Sequence, residues 1–243
     1  MLERFERAAQ AGFQAVEMQF PYEAPAAEIR RRLDANGLVM VLHNFPAGDW
    51  AAGDRGLACN PARQAEFRAG IGRAIEYATT LGVPQLNCLA GKPGAAVDEA
   101  TTHRTFVDNV RHAAEQCRRA GLRVLMEPIN NYDVPGFWLN RTAKALAVVD
   151  EVAMPDVLVQ YDIYHAQRYE GEIAATMQQQ LAKIGHIQFA DNPGRHEPGT
   201  GELNFDFLFA HADRIGYTGW LGAEYKPATT TEAGLGWLHK YKG

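Results

Sequence analysis

Short apolar runs of strand length alternate along this chain with longer stretches in which apolar residues recur every three or four positions. Residues 2–11 place Leu2, Phe5, Ala8 and Ala9 at helical spacing, and Gly12 ends that helix. Residues 15–20 read as a strand stopped by Pro21, and 25–36 as a helix closed by Asn36-Gly37. Residues 38–43 form the next strand, ahead of a long loop from Asn44 to Asn60 of the kind that is usually functional. Further helices are expected over 61–81, 98–120, 141–152, 171–183 and 205–215. They lead in turn into strands at 85–89, 122–126, 157–161, 184–187 and 220–223. Thr229-Thr230-Thr231-Glu232 has the form of a capping box that opens a last helix running to the C-terminus. Seven strands and eight helices in strict alternation predict an α/β fold with a parallel sheet.

Four of these strands deliver an oxygen-bearing side chain at or near their C-terminal ends: Glu127, Asp162, Gln188 and Glu224. A hard divalent cation takes oxygen ligands. A parallel barrel is the architecture that aims all its strand ends at one face. Any one such acid alone has an ordinary alternative, capping a neighbouring helix or pairing with a lysine. Four at equivalent positions on successive strands favour the ion site.

The chain has 243 residues, a length that a (β/α)8 TIM barrel would use as a single domain over 1–243. Closing eight strands would take one more strand ahead of Met1, so the first strand is expected to be missing from this chain. Composition narrows the function. A net charge of -5 and no basic run longer than Arg30-Arg31-Arg32 disfavour nucleic acid as a partner. The three scattered cysteines, Cys59, Cys88 and Cys117, read as reduced thiols of a cytoplasmic protein. No apolar stretch is long enough for a membrane span, and the charged first residues do not resemble a signal peptide.

The segments Glu127-Pro128-Ile129-Asn130, Gln160-Tyr161-Asp162-Ile163-Tyr164-His165, Gly185-His186-Ile187-Gln188-Phe189-Ala190-Asp191-Asn192 and Gly222-Ala223-Glu224-Tyr225-Lys226-Pro227 resemble the xylose-isomerase-like TIM-barrel superfamily. More closely they are similar to the hydroxypyruvate isomerase family. Leu42-His43-Asn44-Phe45-Pro46-Ala47-Gly48-Asp49-Trp50 and Glu197-Pro198-Gly199-Thr200-Gly201-Glu202 match that family's loops too. The resemblance runs over essentially the whole chain, with no counterpart here for the family's first strand. It implies ligation of Mg²⁺ or Mn²⁺ by Glu127, Asp162, Gln188 and Glu224, the two glutamates doubling as acid and base. In related ketose epimerases the Gln188 position is histidine.

The reaction so implied interconverts hydroxypyruvate and 2-hydroxy-3-oxopropanoate (tartronate semialdehyde) through a metal-stabilised enediolate. Glu127 and Glu224 would transfer the protons on its two sides. The substrate carboxylate needs cations, for which Lys92, Arg195 and Lys226 are candidates on strand-following loops. His165 could polarise a substrate oxygen, and His43 ends a strand and could face the site. His186 reads equally well as a core histidine. The nearest alternative keeps the site and lengthens the substrate, giving a 2-oxo-tetronate isomerase or a ketose 3-epimerase-like enzyme. An abasic-site endonuclease would want more metals, more histidine ligands and a basic surface. Barrels of this type often pair through helices, so a homo-oligomer is expected, with no interface marked in the sequence.

Overall fold

The computed structural model describes residues 1–241, and two compact units divide the chain, Met1–Val159 and Gln160–Gly243. In the first, β1 (Ala15–Met18), β2 (Val39–Asn44), β3 (Gln85–Asn87), β4 (Arg123–Met126) and the opening residues of β5 (Val157–Asp162) lie side by side in chain order. Strands β1 with β2, β2 with β3, β3 with β4 and β4 with β5 all pair in parallel. Parallel neighbours need a crossover between them. Helices α2 (Ala26–Ala35), α3 (Gln64–Leu81), α4 (Glu99–Arg119) and α5 (Thr142–Val152) supply it, after a leading α1 (Glu3–Gln10).

Each crossover helix forms because one face of it is apolar. In α3 the buried residues are Phe67, Ile71, Ala74, Ala78 and Leu81, a spacing of four and three that draws a single stripe. Gly82 ends the helix with φ +72°, a conformation that costs a glycine least. Helix α4 starts where the Asp98 carboxylate accepts from the Thr101 amide at 2.7 Å, and it buries Phe106, Val110, Ala113 and Cys117. Against the sheet, Val41, Leu42 and Leu125 make a cluster closed by Ala15 and Leu158.

The second unit holds the end of β5, then α6 (Ile163–Tyr169), α7 (Ile173–Gln180), β6 (Ile184–Phe189), α8 (Phe205–Arg214), β7 (Leu221–Ala223) and α9 (Gly236–Tyr241). Strands β6 and β7 pair in parallel, with Gln188 opposite Gly222. Phe189 anchors the apolar side, its ring 5.0 Å from Phe209 and 5.5 Å from Trp237. The loop from Asp191 to Leu203 is wound around one buried carboxylate. Asp191 accepts from the amides of Asn192, Gly199, Gly201 and Leu203 at 2.8–3.1 Å.

Two elements depart from the periodicity. A seven-residue helix, α6, follows β5 without a loop, because Asp162 at the strand end also accepts from the Tyr164 amide and so starts a helix at once. The expected last helix is broken into a 3-10 turn, Ala233–Leu235, and α9. The Thr230 hydroxyl caps that turn by accepting from the Ala233 amide. Its expected run to the C-terminus lies beyond Tyr241, outside the described residues.

His43, one residue before the end of β2, has no exposed surface. Burial holds its imidazole from its ordinary 6.5 down to about 4, the backbone carbonyl of Asn44 opposing that only in part. Between those pH values the unfolded chain takes up a proton that the native state refuses. Stability therefore falls as pH drops from about 6.5 toward 4, by a His43 contribution on the order of 3 kcal/mol, and His43→Gln should flatten the urea midpoint over that window. Asp191→Ala leaves the amides of Gly199, Gly201 and Leu203 without their acceptor. It should lower unfolding free energy by roughly 1–3 kcal/mol in the same urea titration.

Candidate active site

Side chains alternate across a strand, so residues two apart share a face. In the second unit Gln160 and Asp162 share one face of β5, and Gln160 Nε2 donates to Gln188 Oε1 at 2.5 Å. On β7 the residue opposite Gln188 is Gly222, and Glu224 lies two positions further on, its amide bonded to the Phe189 carbonyl. Three of the four expected ligands thus stand on the strand ends of this unit.

Arg195 joins two of them. Its guanidinium donates to Asp162 Oδ2 at 3.2 Å and to Glu224 Oε2 at 2.9 Å, so both carboxylates converge on one cationic group. Backbone bonds deliver it there. Lys226 N donates to the Arg195 carbonyl at 2.7 Å, His196 Nδ1 donates to the Lys226 carbonyl at 2.7 Å, and the Ala228 amide donates to Glu197 Oε2. The loop after β6 and the loop after β7 are laced together, with Asp191 fixing the first. Asp162 has two tasks: Oδ1 caps α6, while Oδ2 meets Arg195 and lies 3.6 Å from His165 Nε2. Helix capping, the ordinary alternative for a strand-end acid, is therefore true of Asp162 alongside its place beside Glu224.

The first unit contributes Glu127, the residue that follows β4. The register sets Asn44 beside Asn87 and Asn87 beside Leu125, so these polar side chains share the face on which Glu127 continues the alternation. Asn87 Nδ2 donates to Glu127 Oε2 at 2.9 Å, and both residues are buried. His43 pairs with Leu86 instead and stands on the other side of β2, its Nδ1 3.3 Å from the Tyr22 hydroxyl and 3.1 Å from the Asn44 carbonyl. The Tyr22 hydroxyl gives its proton to that same carbonyl at 2.5 Å, so the imidazole bears its own on Nδ1 and keeps Nε2 bare. Lys92 and Lys226 are exposed on their loops.

Within the second unit, the carboxylate oxygens of Asp162 and Glu224 and the amide oxygen of Gln188, which accepts from Gln160 Nε2, are donors of the kind a hard divalent cation takes. Glu127 in the first unit, and Asp162 and His165 in the second, are buried and offer ligand atoms of the kind that could hold a metal ion. Three residues of the site carried no role in the sequence reading: Asn87, Gln160 and Asp191. The available signal for Asn87 and Gln160 was a polar residue within a buried strand. For Asp191 it was an acid at a strand end followed by a glycine-rich loop.

The model of the xylose isomerase-like TIM barrel family matches residues 5–241. A hydroxypyruvate isomerase of Escherichia coli is 52% identical over 241 residues, covering 99% of this chain and 93% of its own. A 2-oxo-tetronate isomerase of Cupriavidus necator is 50% identical, covering 100% of this chain and 93% of its own. Among solved structures, a Brucella melitensis protein described as an AP endonuclease of family 2 superposes with a TM-score of 0.96 at 40% identity, covering 100% of this chain and 93% of that one. Matched along nearly its whole length, with α/β alternation and acid-bearing strand ends in place, this chain belongs to the xylose isomerase-like TIM barrel family.

Proposed function

We propose that this chain is an isomerase of short 2-oxo acids that interconverts hydroxypyruvate and 2-hydroxy-3-oxopropanoate. The observation that carries the reading is the 52% identity to the Escherichia coli hydroxypyruvate isomerase over 99% of the chain. The site chemistry supports it. Moving the carbonyl from C2 to C3 requires removal of a C3 proton, delivery of a proton to C2 and transfer of the O3 proton to O2. It needs two proton-transfer groups and a means of holding negative charge in between.

Glu127 and Glu224 are the proton-transfer groups in this reading, worth on the order of 10²–10⁴-fold as general acid and base. Asn87 steadies the first and Arg195 the second. When bound by Glu127, Asp162, Gln188 and Glu224, Mg²⁺ or Mn²⁺ supplies Lewis-acid withdrawal of the developing charge. In this reading Arg195, held beside Asp162 and Glu224, supplies the positive charge that meets the substrate carboxylate. Lys92 and Lys226 add positive charge from the loops, and His165 holds a substrate oxygen. The partner in this reading is a small anionic 2-oxo acid. The acidic balance of the chain, -5, supports no nucleic acid role.

A second reading, isomerisation of the longer 2-oxo-tetronate, is favoured by the 50% identity to the Cupriavidus necator enzyme. Proton NMR in deuterated water separates the two. Hydroxypyruvate should take up deuterium at C3 and yield an aldehyde resonance, and a chelator should abolish both. Turnover of 2-oxo-tetronate with hydroxypyruvate untouched would move the assignment to the second reading, and turnover of neither would overturn both. Glu127→Gln should lower kcat by about 10²–10⁴-fold while hydroxypyruvate binding, followed calorimetrically, changes little.

A further inference from the structure

Asn87 ends β3 with no exposed surface, and it bears two hydrogen-bonding atoms of opposite kind. An ionised carboxylate only accepts, so the amide nitrogen must be the atom that faces Glu127 Oε2, and the 2.9 Å contact assigns the carboxamide orientation chemically. The oxygen of the same group is buried and has no hydrogen-bond partner among the described residues. A buried acceptor left without a donor is costly, and such atoms in native proteins call for an explanation. The two atoms belong to one rigid carboxamide, so this acceptor stands immediately beside the carboxylate that the proposed reaction uses. Strand alternation puts both on one face, with Asn44 as the neighbour across β2.

We propose that Asn87 is a positioning and specificity-determining residue: its nitrogen orients the Glu127 carboxylate, and its oxygen accepts a hydrogen bond from a hydroxyl group of the substrate. The inference rests on the reading of this chain as an isomerase of a hydroxyl-bearing 2-oxo acid, and it adds the group that recognises the hydroxyl. A polar site that hydrogen-bonds a hydroxyl discriminates against ligands lacking it, because the acceptor is then left unpaired.

The test uses the metal-loaded protein and two inert inhibitors that differ by one hydroxyl, glycerate and lactate. Wild type should bind glycerate at least about tenfold more tightly than lactate. Asn87→Ala should bring that ratio close to one and lower kcat on the substrate that wild type turns over by at least about tenfold. A variant that melts as wild type does and keeps both the ratio and kcat would overturn the proposal. If Asn87→Ala does not fold, Asn87→Asp takes its place, since it keeps the shape and the acceptor but loses the donor. It should depress kcat while the glycerate preference persists, and an unchanged kcat would overturn the positioning role. Failure of the underlying reading shows separately, as wild type that turns over neither hydroxypyruvate nor 2-oxo-tetronate.

Discussion

A carboxylate taken out of water must be given partners, and in this chain that requirement shapes the ends of the strands. Asp162 is 2% exposed. Its two oxygens are supplied by a helix-start amide on one side and by the Arg195 guanidinium on the other. Meeting the second demand fixes where Arg195 stands on the loop after β6. The loop doing so is organised around a further buried carboxylate, Asp191, that takes four backbone amides. The demand then passes to the neighbouring loop, where Lys226 and Ala228 are bonded to Arg195 and Glu197. One charge at a strand end thus dictates the course of two loops.

The same logic governs the first unit with a neutral partner. Glu127 accepts from the amide nitrogen of Asn87 across neighbouring strands, and the buried oxygen of the same carboxamide has no hydrogen-bond partner among the described residues. Strands buried on both faces are normally near-continuous apolar runs. The polar residues that interrupt β3 and β5 are therefore where the sheet gives up packing for chemistry. Arg195 was expected to meet a substrate carboxylate; its observed partners are carboxylates of the protein itself.

Family membership ties these features to a reaction type without choosing the substrate. The two named isomerase relatives differ by only two percentage points in identity to this chain. Both names describe isomerases of 2-oxo acids, and they differ in the chain length of the acid. What tells one acid from another must lie in the groups that meet its hydroxyls, which is why an unpartnered buried acceptor beside Glu127 matters.

Periodicity alone was enough to place the strands and the crossover helices, because an amphipathic stripe such as Phe67, Ile71, Ala74, Ala78 and Leu81 is a local property of the chain. The acids at the strand ends were equally legible, since each follows a short apolar run and stands out against it. The break in the final helix was not, nor was α6. Both depend on a single side chain, Thr230 or Asp162, choosing a nearby amide over another use. The partners of the acids were hidden for a different reason: Asn87 lies 40 residues from Glu127, and Arg195 lies 33 and 29 residues from its two carboxylates. Sequence determined which residues carry charge and which segments are buried. Only the tertiary structure decided which charge meets which partner, because hydrogen bonding acts over a few ångströms and those distances exist only once distant strands are set side by side.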